Sequence, residues 1–201
     1  MTDNAAESLV EQMLVLRCQN GDAAAFADLV ARYHRRLHYF LEKMLYAPDR
    51  VDDVLQDLWL DVFGSIRKLH DPSAFAAWLY RLARDRAYRD LRGRLRRPPT
   101  TDVDEIPERE AAANDDDFSP DDAEQIHHAL NKLTVEHREV LLLRFVEDMN
   151  YQQIAAVVGC EIGTVRSRIH YAKLQLKELI TRQEHSDERK QTRRPTSPTR
   201  R

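Results

Sequence analysis

Thr164, Arg166, Ser167, Arg168, His170 and Tyr171 crowd one end of the run YQQIAAVVGCEIGTVRSRIHYAKLQL, just after Gly159, Cys160 and Gly163. Hydroxyls and guanidinium forks at this spacing suit hydrogen bonding to phosphate oxygens and base edges. With Val165, Ile169 and Ala172 turned toward a core, steps of about 100° per residue place Gly163, Ser167, His170 and Tyr171 on the far side and Arg166 and Arg168 on the flanks. Gly159 sits where two helices would meet at a tight corner that needs positive φ. The pattern predicts a helix-turn-helix whose second helix enters the major groove by its N-terminal turn. On this stretch alone, an ordinary antiparallel helix pair with a solvated face is the alternative.

Two further sets could contact partners. Between Arg81 and Arg97 lie eight arginines against Asp85 and Asp90, a basic stripe in which Arg81, Arg84, Tyr88 and Arg92 share a helix edge. Asp53, Gln56 and Asp57, at i, i+3 and i+4, form one acidic patch able to pair with arginines of a partner helix. His34, His38 and Glu42 also follow helical spacing, but there is no HExxH, phosphate-binding glycine loop or nucleophile elbow. They read as surface residues; neither enzymatic activity, metal nor cofactor is expected.

The elements that must carry these groups are helices. Hydrophobic residues make up 42% of the 201 residues, charged residues 32%, and there are only 5 glycines, which suits helical bundles. Cys18 and Cys160 have neither a metal spacing nor a disulfide pattern, and no apolar run reaches the roughly 18 residues of a membrane span, so a cytoplasmic protein is expected. Residues 8–18 suit a short helix ending at the Asn20-Gly21-Asp22 corner, with Asp22 as N-cap. Phe26, Leu29, Val30, Tyr33, Leu37, Phe40, Leu41 and Met44 stripe the next helix. Asp49 is placed to cap a third, striped by Val51, Val54, Leu55, Leu58, Val62 and Ile66, and Asp71-Pro72 opens a fourth with Phe75, Trp78, Leu79 and Leu82 inward. These four define a first domain over 8–97.

Residues 98–124 carry eleven acids from Asp102 to Glu124 against Arg109, with few large apolar groups. Such a segment does not bury enough surface to fold; its reach is at most about 90 Å. A flexible acidic linker is therefore expected. Ser119-Pro120 restarts helix, and a second all-α domain over 125–183 follows. Ile126, Ala129, Leu130 and Leu133 stripe one helix, Val140, Leu141, Leu142, Phe145 and Val146 a second, Ile154, Ala155 and Val158 a third, and Val165 through Leu179 a fourth. Residues 184–201 are expected to be a disordered basic tail, open to three readings: a phosphate-binding arm, a kinase target or an inert end.

The run LTVEHREVLLLRFVEDMNYQQIAAVVGCEIGTVRSRIHYAKLQLKELI resembles region four of bacterial extracytoplasmic-function sigma factors, of the sigma-70 superfamily. FADLVARYHRRLHYF, VDDVLQDLWLDVF and FAAWLYRLARDRAYRDLR resemble region two, in the family's order, so the resemblance spans about 8–183. It implies a protein that directs core RNA polymerase to promoters. Asp53, Gln56 and Asp57 would dock on a coiled coil of the large polymerase subunits. The loop containing His70, Asp71 and Ser73, with Arg81, Arg84, Tyr88, Arg89 and Arg92, would bind and melt the minus-ten element by holding a flipped base. Thr164, Arg166, Ser167, Arg168, His170 and Tyr171 would read the upstream minus-thirty-five element. An anti-sigma factor is a further expected partner.

The resemblance leaves the acidic linker two readings, a solubilising spacer or a nucleic-acid mimic in a basic polymerase channel; folding back on the arginine stripe is a further possibility. Two departures stand out. Asp85 replaces a frequent Asn, and an ion pair with Arg81 or Arg89 would offset its charge. Leu133-Thr134 replaces a frequent Leu-Pro, and Thr134 is itself a sound N-cap. The rival from another class is a stand-alone dimeric helix-turn-helix regulator, which would protect two half-sites about one turn apart.

Overall fold

The computed structural model describes residues 2–45, 47–96 and 120–191, and all regular elements among them are helical. Helices α1 (Thr2–Gln19) and α2 (Ala23–Leu45) meet at the expected corner, where Gly21 takes φ +89°. Asp22 caps α2: its Oδ1 accepts from the amides of Ala24 and Ala25 at 2.9 and 3.1 Å, and Arg17 Nε donates to Oδ2 at 2.9 Å. The Ala25 amide and Arg17 hold this carboxyl below its ordinary pKa.

Helix α3 (Pro48–Ser65) begins one residue before the expected cap, because Pro48 fits the first helical position and leaves Ala47 at the cap. Asp49 therefore sits in the first turn, where it complements the helix dipole instead of capping it. Two short 3₁₀ turns, Ile66–Lys68 and Pro72–Ala74, lead into α4 (Phe75–Arg96). Leu29, Leu37, Phe40 and Leu41 of α2, Leu55 and Leu58 of α3 and Phe75, Leu79 and Tyr80 of α4 close the first core. Phe40 meets Tyr80, and Tyr33 meets Phe75, edge to face.

The second module comprises α5 (Pro120–Asn131), α6 (Val135–Leu141), α7 (Tyr151–Val158) and α8 (Ile162–Gln191). Thr134 caps α6, its Oγ1 accepting from the His137 amide at 3.4 Å. Helix α6 then runs into a π turn, Leu142–Val146, in which the Glu147 amide donates to the Leu142 carbonyl. That wider turn shifts the helical register. Leu142, Leu143 and Glu147 face inward, while Phe145 and Val146, expected in the core, are exposed. Asn150 and Gln153 form a reciprocal capping box at the start of α7, and Gly159 ends it at φ +70°, the left-handed corner the sequence requires. Helix α8 continues to Gln191, beyond the point near Gln183 where order was expected to end. The linker, up to Ser119, and residues 192–201 of the tail lie outside the described residues.

The modules pack together: α4 lies on α7 and α2 on α6, and one apolar core runs through both. At this seam Arg138 of α6 is fully buried. Its Nε donates to the Leu130 carbonyl and Nη2 to the Leu133 carbonyl, each at 2.8 Å, satisfying the end of α5. Its Nη1 crosses to the Lys43 carbonyl of α2 at 2.5 Å. Burial lowers its pKa to about 10, so it stays cationic at neutral pH. Replacing it leaves these buried carbonyls without their donor, so Arg138→Leu is expected to lower unfolding free energy by about 3 kcal/mol in urea titration.

Candidate nucleic-acid interface

Capped by its box and stopped by Gly159, α7 fixes where α8 begins. Val165, Ile169 and Ala172 are buried, which turns Thr164, Arg166, Ser167, His170 and Tyr171 outward, all exposed. Arg166 has no ion pair among the described residues and is available to an external acceptor. The Ser167 hydroxyl donates to the Thr164 carbonyl at 3.0 Å, and the His170 and Tyr171 rings touch edge to face. Arg168 departs from this group. It is half-buried and its charge is felt at Glu139, so it faces the seam as much as solvent.

On α4, the exposed side chains of Arg81, Arg89 and Arg92 make no ion pairs among the described residues, and Asp85, Tyr88, Arg89, Arg92 and Gly93 line a common cleft. Asp85 pairs with neither Arg81 nor Arg89; it meets its neighbour Arg84 at 3.5 Å. Arg84 also lies over the Tyr88 ring, its guanidinium carbon 4.5 Å from the centroid. In the preceding loop His70 is exposed, whereas Asp71 and Ser73 are tied together. Asp71 Oδ1 accepts from the Ser73 amide and hydroxyl at 2.9 and 2.7 Å, which holds its carboxyl below its ordinary pKa. Gln19 of α1, which sequence reading passed over, braces this loop by donating to the carbonyls of Ile66 and Leu69 at 3.0 and 2.7 Å.

The third set is assembled as expected, on one exposed face of α3. Asp53 is paired to Arg50 at 3.0 Å, and Asp57 to Arg86 at 2.7 Å, while Arg86 also reaches Asp61. Gln56 lies between the two acids. Leu60 and Phe63, 63% and 66% exposed, extend the same face with apolar surface. Their absence from the buried stripe Val51, Val54, Leu55, Leu58 and Val62 was the available signal. Of the helically spaced set His34, His38 and Glu42, His38 faces Asp52 and Glu42 pairs with Lys43; no group of three candidate metal ligands occurs among the described residues.

Sequence reading missed the acids that meet the first module's arginines. Glu139, fully buried on α6, lies 2.6 Å from Arg84 Nε and accepts from the Tyr88 hydroxyl at 3.2 Å. Glu147, after the π turn, accepts from Arg36 Nε at 2.8 Å. Burial raises the pKa of both carboxyls; for Glu139, Arg84, Tyr88 and Arg168 oppose it, and the result is pushed up to about 7. A raised acid stabilises the fold fully below its unfolded value, near 4.5, and loses that contribution as pH rises through about 7. The urea midpoint of the parent should therefore fall between these pH values relative to that of Glu139→Gln.

Similarity to known proteins follows this arrangement. The Sigma-70 region 2 family matches residues 29–97 and the Sigma-70 region 4 family residues 123–176. An ECF RNA polymerase sigma-E factor of Escherichia coli strain K12 is 33% identical over 178 residues, 84% of this chain and 93% of its own. RNA polymerase sigma-H factor of Pseudomonas aeruginosa is 34% identical over 81% of this chain and 90% of its own. Sigma factor RpoE of Bartonella quintana, solved in complex with the anti-sigma factor NepR, superposes with a TM-score of 0.64 at 26% identity, covering 78% of this chain and 96% of that one. CnrH, solved with the cytosolic domain of CnrY, shares the fold at a TM-score of 0.65 and 24% identity, over 86% and 97% of the two chains. Both regions in one chain disfavour the stand-alone dimeric regulator. Two matched regions in the right order, carried by relatives similar along nearly their whole length, place this chain in the extracytoplasmic-function family of RNA polymerase sigma factors.

Proposed function

We propose that this sigma factor divides promoter recognition between its modules as the three exposed faces suggest. The observation that carries the reading is the pair of separate cationic faces, the N-terminal turn of α8 and the outer edge of α4, one in each module. Arg166 and Thr164 meet bases or phosphates of the upstream element, with Ser167, His170 and Tyr171 beside them and Arg168 at the flank. Arg81, Arg84, Tyr88, Arg89 and Arg92 hold the minus-ten strand, and the loop before α4 receives the flipped base. Asp71 and Ser73 are tied to each other through one carboxylate oxygen, and His70 is an exposed loop side chain beside them that can meet that base.

The α3 face, Asp53, Gln56 and Asp57 with Leu60 and Phe63, docks on core polymerase. Its acids offer charge to partner arginines and its apolar end supplies contact area. Work at polymerase and promoter implies a cytoplasmic protein that acts without a catalytic site of its own; no helix among the described residues is long and apolar enough to cross a membrane. The complex of the Bartonella quintana relative with NepR supports an anti-sigma factor as a further partner of this chain.

Run-off transcription with core polymerase tests the division. Asp57→Arg is expected to lose polymerase binding, while Arg166→Ala keeps it and loses upstream recognition at a cost of about 1–3 kcal/mol. If both variants transcribe like the parent, the assignment of roles fails.

A further inference from the structure

We propose that Gln19 is a positioning residue for minus-ten recognition: from the C-terminal end of α1 it sets the backbone of the loop that presents His70. This rests on the reading of that loop as the receiver of a flipped base. The loop consists of the 3₁₀ turns Ile66–Lys68 and Pro72–Ala74, with Leu69 and Asp71 extended between them at φ −76° and −115°. Its own backbone bonds are local. The Leu69 amide donates to the Ile66 carbonyl and the Ala74 amide to the Asp71 carbonyl, each at 3.1 Å, so each bond closes one turn and neither fixes the path between the two.

Gln19 supplies that link from another helix. The two hydrogens on its Nε2 are directed to the Ile66 carbonyl at 3.0 Å and the Leu69 carbonyl at 2.7 Å. The peptide plane that holds the Leu69 carbonyl also holds the His70 nitrogen, so the second bond orients the unit from which the His70 side chain departs. The donor is itself held in place. Gln19 is half-buried beside the buried Cys18, and α1 packs on both 3₁₀ turns. At the corner that follows, Arg67 Nη2 of the first turn lies 3.4 Å from where a Cβ on Gly21 would stand. Asp22, bonded to Arg17 and to the first amides of α2, fixes the same corner. A base site loses discrimination when the residues behind it leave its backbone free to shift.

The full chain bound to core polymerase tests this, with a fluorescein-labelled single strand randomised over about ten positions as the probe. The parent should strongly enrich one base at one position or more, the signature of an extruded base read by its edge. Gln19→Leu keeps the bulk and removes both donors. It should bind the selected strand about tenfold more weakly, as expected when two net hydrogen bonds are lost and about one loop in ten stays competent. The same strand made abasic at the enriched position should bind parent and variant equally, since no base is left to place. Gln19→Glu, which turns an oxygen toward both carbonyls, should repeat the result. In both variants amide exchange should quicken over 66–74 and core binding should hold. Equal weakening on the intact and abasic strands overturns the proposal, because a general loss of fold would do that; so does binding of the selected strand at parent strength. A parent that enriches no base at any position overturns instead the reading of the loop.

Discussion

A charge taken out of water must be met by another charge or by well-placed dipoles, and the seam between the two helical modules is organised around that requirement. Arg138 solves it with backbone dipoles, drawing carbonyls from the ends of α5 and α2 onto one guanidinium. Glu139 and Glu147 are met by Arg84 and Arg36, which belong to the other module. The apolar core supplies area but little direction. Orientation of one module on the other comes from these few polar groups.

The same economy sets the outer faces. Arg86 spans Asp57 and Asp61, and Arg50 spans Asp53 and Asp90, so the acidic face of α3 is stitched to α4. The two faces proposed for polymerase docking and strand binding are thereby held on a linked pair of helices rather than on independent ones. Gln19 extends the frame to the loop before α4, joining α1 to two carbonyls of the turn that presents His70.

Local chemistry was legible in the sequence wherever one residue decides a backbone conformation. Asp22, Thr134 and Gly159 cap or stop their helices as their types demand. Apolar spacing located the cores of α2 to α4 and the buried side of α8. It failed after Leu141, because a π turn changes the angular step and exchanges Phe145 and Val146 for Glu147 on the inner face. The seam was not legible at all. Glu139 and Arg138 sit in an ordinary-looking amphipathic stretch, and burial of a glutamate depends on a guanidinium more than fifty residues away along the chain. Asp85 meets its neighbour Arg84 rather than the arginines one turn away.

Many packing partners within a module are adjacent in sequence, α1 with α2, α2 with α3, α3 with α4, and α7 with α8, although α8 also packs on α5 and α6; Arg36 and Glu147 are separated by 111 residues. Local contacts form first because they close short loops. Each bundle thus completes before the seam does, and during synthesis the N-terminal bundle has left the ribosome while Glu139 has yet to be translated. For that interval Arg84 and Tyr88 lack the Glu139 carboxyl that covers them in the finished chain.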